Sequence, residues 1–82
     1  VVPDRPMLRR FGVNLRAARV AAGLSQRDLA AAAGISVHYV SLLERGGRNP
    51  VLSVVVRLAS ACDVRVEALV EALTPGITAS RT

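Results

Sequence analysis

The sequence predicts an all-α fold, a compact domain of five short helices in which the second and third form a helix-turn-helix. Apolar residues recur at three- and four-residue steps along successive stretches of the chain, the period of helices with one buried face. Two serines, Ser25 and Ser36, stand where helices would begin, with Gly34 between them where one would end. Phe11 and Tyr39 are the sole aromatic residues although 51% of the chain is apolar, so the core has to be built from Leu, Val, Ile and Ala, which suits short, closely packed helices. Eighty-two residues suffice for one such core and are too few for a catalytic domain beside a binding domain.

Residues 1–6, VVPDRP, hold two prolines and no apolar period, and are expected to form a flexible arm carrying Arg5. From Met7 to Ala22 the residues Leu8, Phe11, Leu15, Ala18 and Ala22 mark the buried stripe of a first helix, which Gly23 ends. Leu24 is expected to tuck into the core just before the next cap. Ser25 caps a second helix beginning at Gln26, and Asp28, three residues on, completes a capping-box spacing. Leu29, Ala30 and Ala33 form its inner stripe, and Gly34 adopts at least cost the left-handed conformation that stops it.

Ser36 caps a third helix, Val37 to Arg45, after only a tight turn. Val40 and Leu43 point inward, while Val37, His38, Ser41, Leu42 and Arg45 share the opposite face, which cannot pack on the same core. Two short helices joined at a glycine, the second with a free outer face, are a helix-turn-helix, whose second helix lies in the DNA major groove. A basic loop, Arg45-Gly46-Gly47-Arg48-Asn49, follows, and Pro50 stiffens the entry to the fourth helix. That helix is expected over Leu52–Cys62, with Leu52, Val55, Leu58, Ala59 and Cys62 buried and with Val51 and Val54 widening the stripe sideways. A last helix, Val66 to Leu73, should end at Thr74-Pro75-Gly76, which places the domain over residues 7–74 and a tail over 75–82.

The formal charge is +5, and its placement is uneven. Up to Pro50 eight arginines face three acids, whereas from Val51 onward three arginines meet three acids. A basic first half that also contains the helix-turn-helix is the footprint of a surface that binds phosphate backbones. One histidine, one cysteine, no paired carboxylates, no phosphate-cradling glycine motif and no metal-ligand cluster argue against an enzyme and against a metal or cofactor. Cys62 on its own excludes an intramolecular disulfide framework and points to a reducing, cytoplasmic location, with Cys62 itself a small buried apolar residue. The longest charge-free run, Leu29 to Leu43, is too short to cross a membrane, and no small-molecule ligand is evident.

At these residues the chain resembles a known family: the phage-repressor-like helix-turn-helix regulators, lambda-repressor-like and Cro-like, also called the xenobiotic-response-element family. The resemblance is carried by FGVNLRAAR (Phe11 to Arg19), GLSQRDLA (Gly23 to Ala30), AGISVHYVSLLERG (Ala33 to Gly46), Asn49-Pro50 and RLASACDVRVEALV (Arg57 to Val70). Several ordered blocks at family spacing are more specific than any one alone.

The resemblance implies a DNA-binding bacterial transcription regulator acting as a homodimer on double-stranded DNA. It implies an ion pair between Arg19 and Glu44 that sets the angle between helices one and three. It implies that Gln26 touches a phosphate and braces the recognition helix, with Arg27 beside it. Ser36, Val37, His38, Ser41, Leu42 and Arg45 match groove-facing positions, and Arg48 and Asn49 suit a phosphate. Among them His38 is the best direct reader, able to donate to guanine N7 or O6, while Val37 and Leu42 offer contact to thymine methyl groups. Tyr39 is expected to hydrogen-bond a phosphate, the alternative being partial burial of its ring. Few hydrogen-bonding readers leave DNA shape and deformability a sizeable share of specificity.

The chain departs from the family at Val51, where a hydroxyl residue is common, and at Asp63 and Arg65, where Gly and Ser are frequent. Surplus apolar surface at the electrically neutral end, Val51, Val54, Val66, Val70 and Leu73, is expected to make the dimer contact. The alternative is that Ile77 and the tail fold back over it. A small repressor, autoregulatory or a controller of a restriction-modification operon, fits the size. The competing reading is an antitoxin or adaptor whose helix-turn-helix docks a partner protein, and a basic peripheral membrane protein is a weaker third.

Overall fold

The computed structural model describes residues 5–73, an all-α arrangement of five helices: α1 (Arg5–Ala21), α2 (Gln26–Ala33), α3 (Val37–Glu44), α4 (Leu52–Ala61) and α5 (Val66–Val70). The expectations for residues 1–4, for Thr74-Pro75-Gly76 and for the tail with Ile77 lie outside the described residues. Helix α1 packs on α3 and α5, α2 on α3 and α4, and α4 on α5. The core they enclose is Phe11, Leu15, Leu29, Ala30, Ala33, Val40, Leu43, Val54, Val55, Leu58, Ala59, Cys62 and Leu69. Its aliphatic and alanine-rich make-up lets these short helices approach closely. No helix among the described residues is long and apolar enough to cross a membrane.

The first helix begins two residues before its expected start. Arg5 and Pro6, assigned above to a flexible arm, form its first turn, where proline is tolerated because its missing N–H would have no intrahelical partner. At the other end Gly23 takes φ 76°, and the Leu24 N–H closes the turn on the Arg19 carbonyl at 3.1 Å.

The second helix carries a complete capping box. The Asp28 N–H donates to the Ser25 hydroxyl at 2.9 Å, and the Ser25 N–H donates to the Asp28 carboxylate at 3.1 Å. Those bonds hold the Asp28 carboxyl below the ordinary carboxylate range, the backbone donor first and the Ser25 hydroxyl second. A lowered pKa in the folded state means that stability is present above the unfolded value and lost as pH falls through the folded one. The melting-temperature advantage of the native chain over Asp28→Ala should therefore be constant from neutral pH down to about pH 5, given an unperturbed aspartate near 3.9, and shrink below that. Melting curves of both chains across that range check it, and an advantage that grows on acidification contradicts the capping role.

Gly34 ends α2 at φ 72°, the Ile35 N–H reaches back to the Ala30 carbonyl at 3.0 Å, and Ser36 caps α3 by accepting the Tyr39 N–H at 3.0 Å. The turn between the two helices is thus fixed by three residues whose chemistry suits it.

The phase of α4 differs from expectation. Leu52, expected in the core, is 73% exposed, and Val54, expected at a subunit contact, is 7% exposed and belongs to the core. The stripe that turns inward is Val54, Val55, Leu58, Ala59 and Cys62. Cys62 is buried as expected, and desolvation pushes its thiol up from the ordinary value, leaving a protonated packing residue. Helix α5 ends at Val70 rather than Leu73. The Asn14 side-chain amide donates to the carbonyls of Leu69 at 3.0 Å and Glu71 at 2.8 Å, and Ala72 turns to φ 63°. The Leu69 carbonyl, which a helix continued to Leu73 would have used internally, is spent on α1, and the chain leaves the helix there.

Candidate nucleic-acid interface

The seat of α3 is built from three contacts, two with α1 and one with α2. Gly12 faces the last turn of α3 so closely that a Cβ there would lie 2.6 Å from the Leu43 carbonyl oxygen and closer still to that of Glu44. Glu44 then anchors the end of the helix. Its Oε2 accepts from Arg19 Nε at 2.5 Å and its Oε1 from Arg19 Nη2 at 3.1 Å, a two-pronged pair whose side chains are 11% and 4% exposed. Arg19 Nη1 donates to the Leu24 carbonyl at 2.9 Å, so the turn after α1 joins the same network. Hydrogen bonding to Glu44 raises the Arg19 guanidinium above its ordinary value, against an opposing contribution from burial. Gln26 Nε2 adds a third bond to the Glu44 carboxylate, to Oε1 at 3.0 Å, tying the first turn of α2 to the end of α3.

With Val40 and Leu43 buried, α3 presents Val37, His38 and Arg45 as exposed residues and Ser41 as a half-buried one. Leu42 is also half-buried, because the loop folds over it: the Gly47 N–H donates to the Leu42 carbonyl at 2.8 Å. Less of its side chain is therefore free for a thymine methyl than the sequence suggested. Ser36 is exposed and its hydroxyl oxygen is engaged in the cap, which leaves its O–H as a donor outward. Gln26 likewise spends one amide hydrogen on Glu44 and keeps the other. Tyr39 is half-buried against the core, the alternative weighed for it, and the Arg48 guanidinium sits 5.6 Å from its ring centroid. Arg45 leans back along α3, its Nε 3.4 Å from the Ser41 carbonyl, while Arg27 and Asn49 are exposed.

The charge around this face is one-sided. Arg27, Arg45 and Arg48 are exposed on or beside it, and the two acids nearest in sequence are both engaged, Glu44 by Arg19 and Gln26 and Asp28 by the Ser25 cap. The other described acids, Asp63, Glu67 and Glu71, belong to the α4–α5 end. Such a surface offers donors and a net positive charge to an anion, with three exposed arginines against the one exposed carboxylate of Asp28.

Among the residues expected at a subunit contact, Val54 is core, and Val66 and Leu73 are partly buried against the same core. Val51 and Val70 stay exposed. Leu52 and Val56, which the sequence reading did not place there, join them on the surface, Val56 at 48%. Their exposure has no clear signal in the sequence, since the run Val54-Val55-Val56 fits a helix buried on either side.

Comparison with known proteins follows the same lines. A family model described as a helix-turn-helix domain matches residues 10–73. The HTH-type transcriptional regulator DdrOP3 of Deinococcus deserti is 47% identical over 57 residues, which cover 70% of this chain and 44% of that protein. An uncharacterized HTH-type transcriptional regulator of Sinorhizobium fredii, y4dJ, is 39% identical over 69 residues, covering 84% of this chain and 86% of that one. The restriction-modification controller protein C.AhdI from Aeromonas hydrophila superposes with a TM-score of 0.74 at 44% identity, over 76% of this chain and 94% of its own. The chain spans 32% and 44% of the length of the first two curated relatives it matches.

Proposed function

This chain belongs to the helix-turn-helix domain family, and from that premise we propose that it is a DNA-binding transcriptional regulator that reads double-stranded DNA with the outer face of α3. The observation that carries the reading is that this face is left uncovered by the chain's own core, while three exposed arginines stand on or beside it and the charge of Glu44 is taken up by Arg19. A rigid helix held at both ends, by the Ser36 cap and the Glu44 network, can enter a major groove without reorganising.

In this arrangement His38 donates to a guanine edge, Val37 meets thymine methyl groups, and Ser36, Ser41 and the free amide hydrogen of Gln26 complete the groove and phosphate contacts. Arg27, Arg45, Arg48 and Asn49 grip the backbone, with the Tyr39 ring supporting Arg48. The protein acts as a homodimer on a two-fold symmetric operator. The exposed apolar residues Val51, Leu52, Val56 and Val70 supply the self-contact in place of the buried Val54. The likeness to the restriction-modification controller protein C.AhdI favours a controller of a restriction-modification operon over an antitoxin or an adaptor. The setting is the cytoplasm, with no enzymatic step and no cofactor.

Selection of bound sites from random duplexes tests this directly. The expected motif is two-fold symmetric, with half-sites about one helical turn apart. His38→Ala should cost about 1–3 kcal/mol at one base pair per half-site and relax preference there. Arg48→Ala should weaken all sequences alike and lower the salt slope by about one per protomer, about two for the dimer. An unchanged specificity ratio for His38→Ala removes that residue from the readers, and an asymmetric motif removes the dimer.

A further inference from the structure

The flank of α1 that borders the α3–α4 loop carries a row of cations that none of the contacts above employ. Helix α1 contains no acid, and Arg9 and Arg16 are exposed on the side that turns toward α3, close in helical angle to Gly12 and Arg19, which touch it. Gly46, at φ 77°, lets the loop run against this flank: a Cβ on Gly46 would lie 3.0 Å from Arg9 Cα and Cγ. Arg9 therefore stands beside the loop that holds Arg45 and Arg48, and Arg16 lines a shallow groove with Val13, Ala17, Val20 and Glu44. That carboxylate is already held by Arg19 and Gln26. Arg9 and Arg16 on α1, Arg45 at the end of α3 and Arg48 in the loop are all exposed cations, and Gly46 brings that loop against Arg9.

We propose that Arg9 and Arg16 are a second set of phosphate contacts, which extends the grip on the DNA backbone beyond the recognition helix and its loop. This rests on the DNA-binding reading above. Contacts of this kind position the duplex and carry no base preference, so their removal changes affinity and salt dependence and leaves the selected motif alone. Arg10 provides an internal control. One residue on from Arg9, it is rotated about 100° around the helix, which turns it away from α3, and it is likewise exposed and carries the same charge.

The test is the dependence of duplex affinity on salt for the native chain, for Arg9→Gln with Arg16→Gln, and for Arg10→Gln, on a selected site and on an unrelated duplex. The expected result is a slope smaller by about 1.8 per protomer for the double variant, about 3.6 for a dimer on its operator, at about 0.9 per phosphate contact. The slope for Arg10→Gln should match the native one, and helical content and site preference should be unchanged throughout. A native slope in the double variant overturns the proposal, and so does an equal loss with Arg10→Gln, which would mark a mere effect of net charge. Failure of the underlying reading looks different, because the native chain would then show no salt-dependent duplex binding at all.

Discussion

Replacing Glu44 with alanine destabilises the protein by about 3–5 kcal/mol, because it leaves the Arg19 guanidinium buried without its counter-ion. The guanidinium cannot easily swing out to water, since its Nη1 is also held by the Leu24 carbonyl and Gly12 keeps α1 and α3 in contact around it. Domains of this size have total stabilities of about 5–15 kcal/mol, so the loss is a large fraction of the whole. At about 4–8 °C per kcal/mol, the melting temperature should fall by at least about 12 °C. A second variant separates two roles of the pair. Arg19→Met combined with Glu44→Leu replaces it with apolar groups and should restore much of the stability. It does not restore the two-pronged geometry that sets the angle of α3, so duplex affinity stays low while the melting temperature recovers. If Glu44→Ala melts close to the native chain, the pair is not what anchors α3.

Gly12→Ala is the second large effect, and its direction opposes simple helix propensity. In an exposed helix interior the substitution stabilises by about 1 kcal/mol. Here the added methyl meets the Leu43 and Glu44 carbonyls, which are backbone and cannot rotate aside, so the two helices must separate. Overpacking of this kind costs about 1–3 kcal/mol, and contact with unyielding backbone belongs at the upper end or beyond. We expect a net loss of about 2 kcal/mol in denaturant unfolding. Duplex affinity should fall further than the lost folded fraction explains, because the recognition helix is displaced in the molecules that remain folded. A variant as stable as the native chain would show that α1 and α3 do not approach as closely as described.

Most of the helix-turn-helix was legible in the sequence because its signals are local. Ser25 with Asp28, Gly34 and Ser36 act within a few residues of where they stand, and the structure uses each as a cap. The inner residues of α2 and α3 were legible too, since short helices with one apolar side leave little choice of phase. Helix α4 was different. Val51, Leu52, Val54, Val55, Val56, Leu58 and Ala59 offer two overlapping stripes, and packing against α2 and α5 selects the one centred on Val55 and Leu58. Gly12 and Asn14 were missed for a related reason. Their partners lie more than thirty residues away, at Leu43 and Glu44 and at Leu69 and Glu71, and nothing in the immediate sequence identifies them. An asparagine inside an otherwise amphipathic helix was the one available hint. The Arg19–Glu44 pair was expected from family resemblance and not from the residues alone, because a pair separated by 25 positions has no local signature.

The most direct test of the central claim is methylation interference on a duplex recovered by selection. Methyl groups on guanine N7 obstruct the major groove, and those on adenine N3 obstruct the minor groove. If the outer face of α3 enters the major groove, the methylated guanines that abolish binding fall in two clusters about 10 base pairs apart, and His38→Ala removes one position from each. Interference confined to adenine N3, or absent at every guanine, would contradict it.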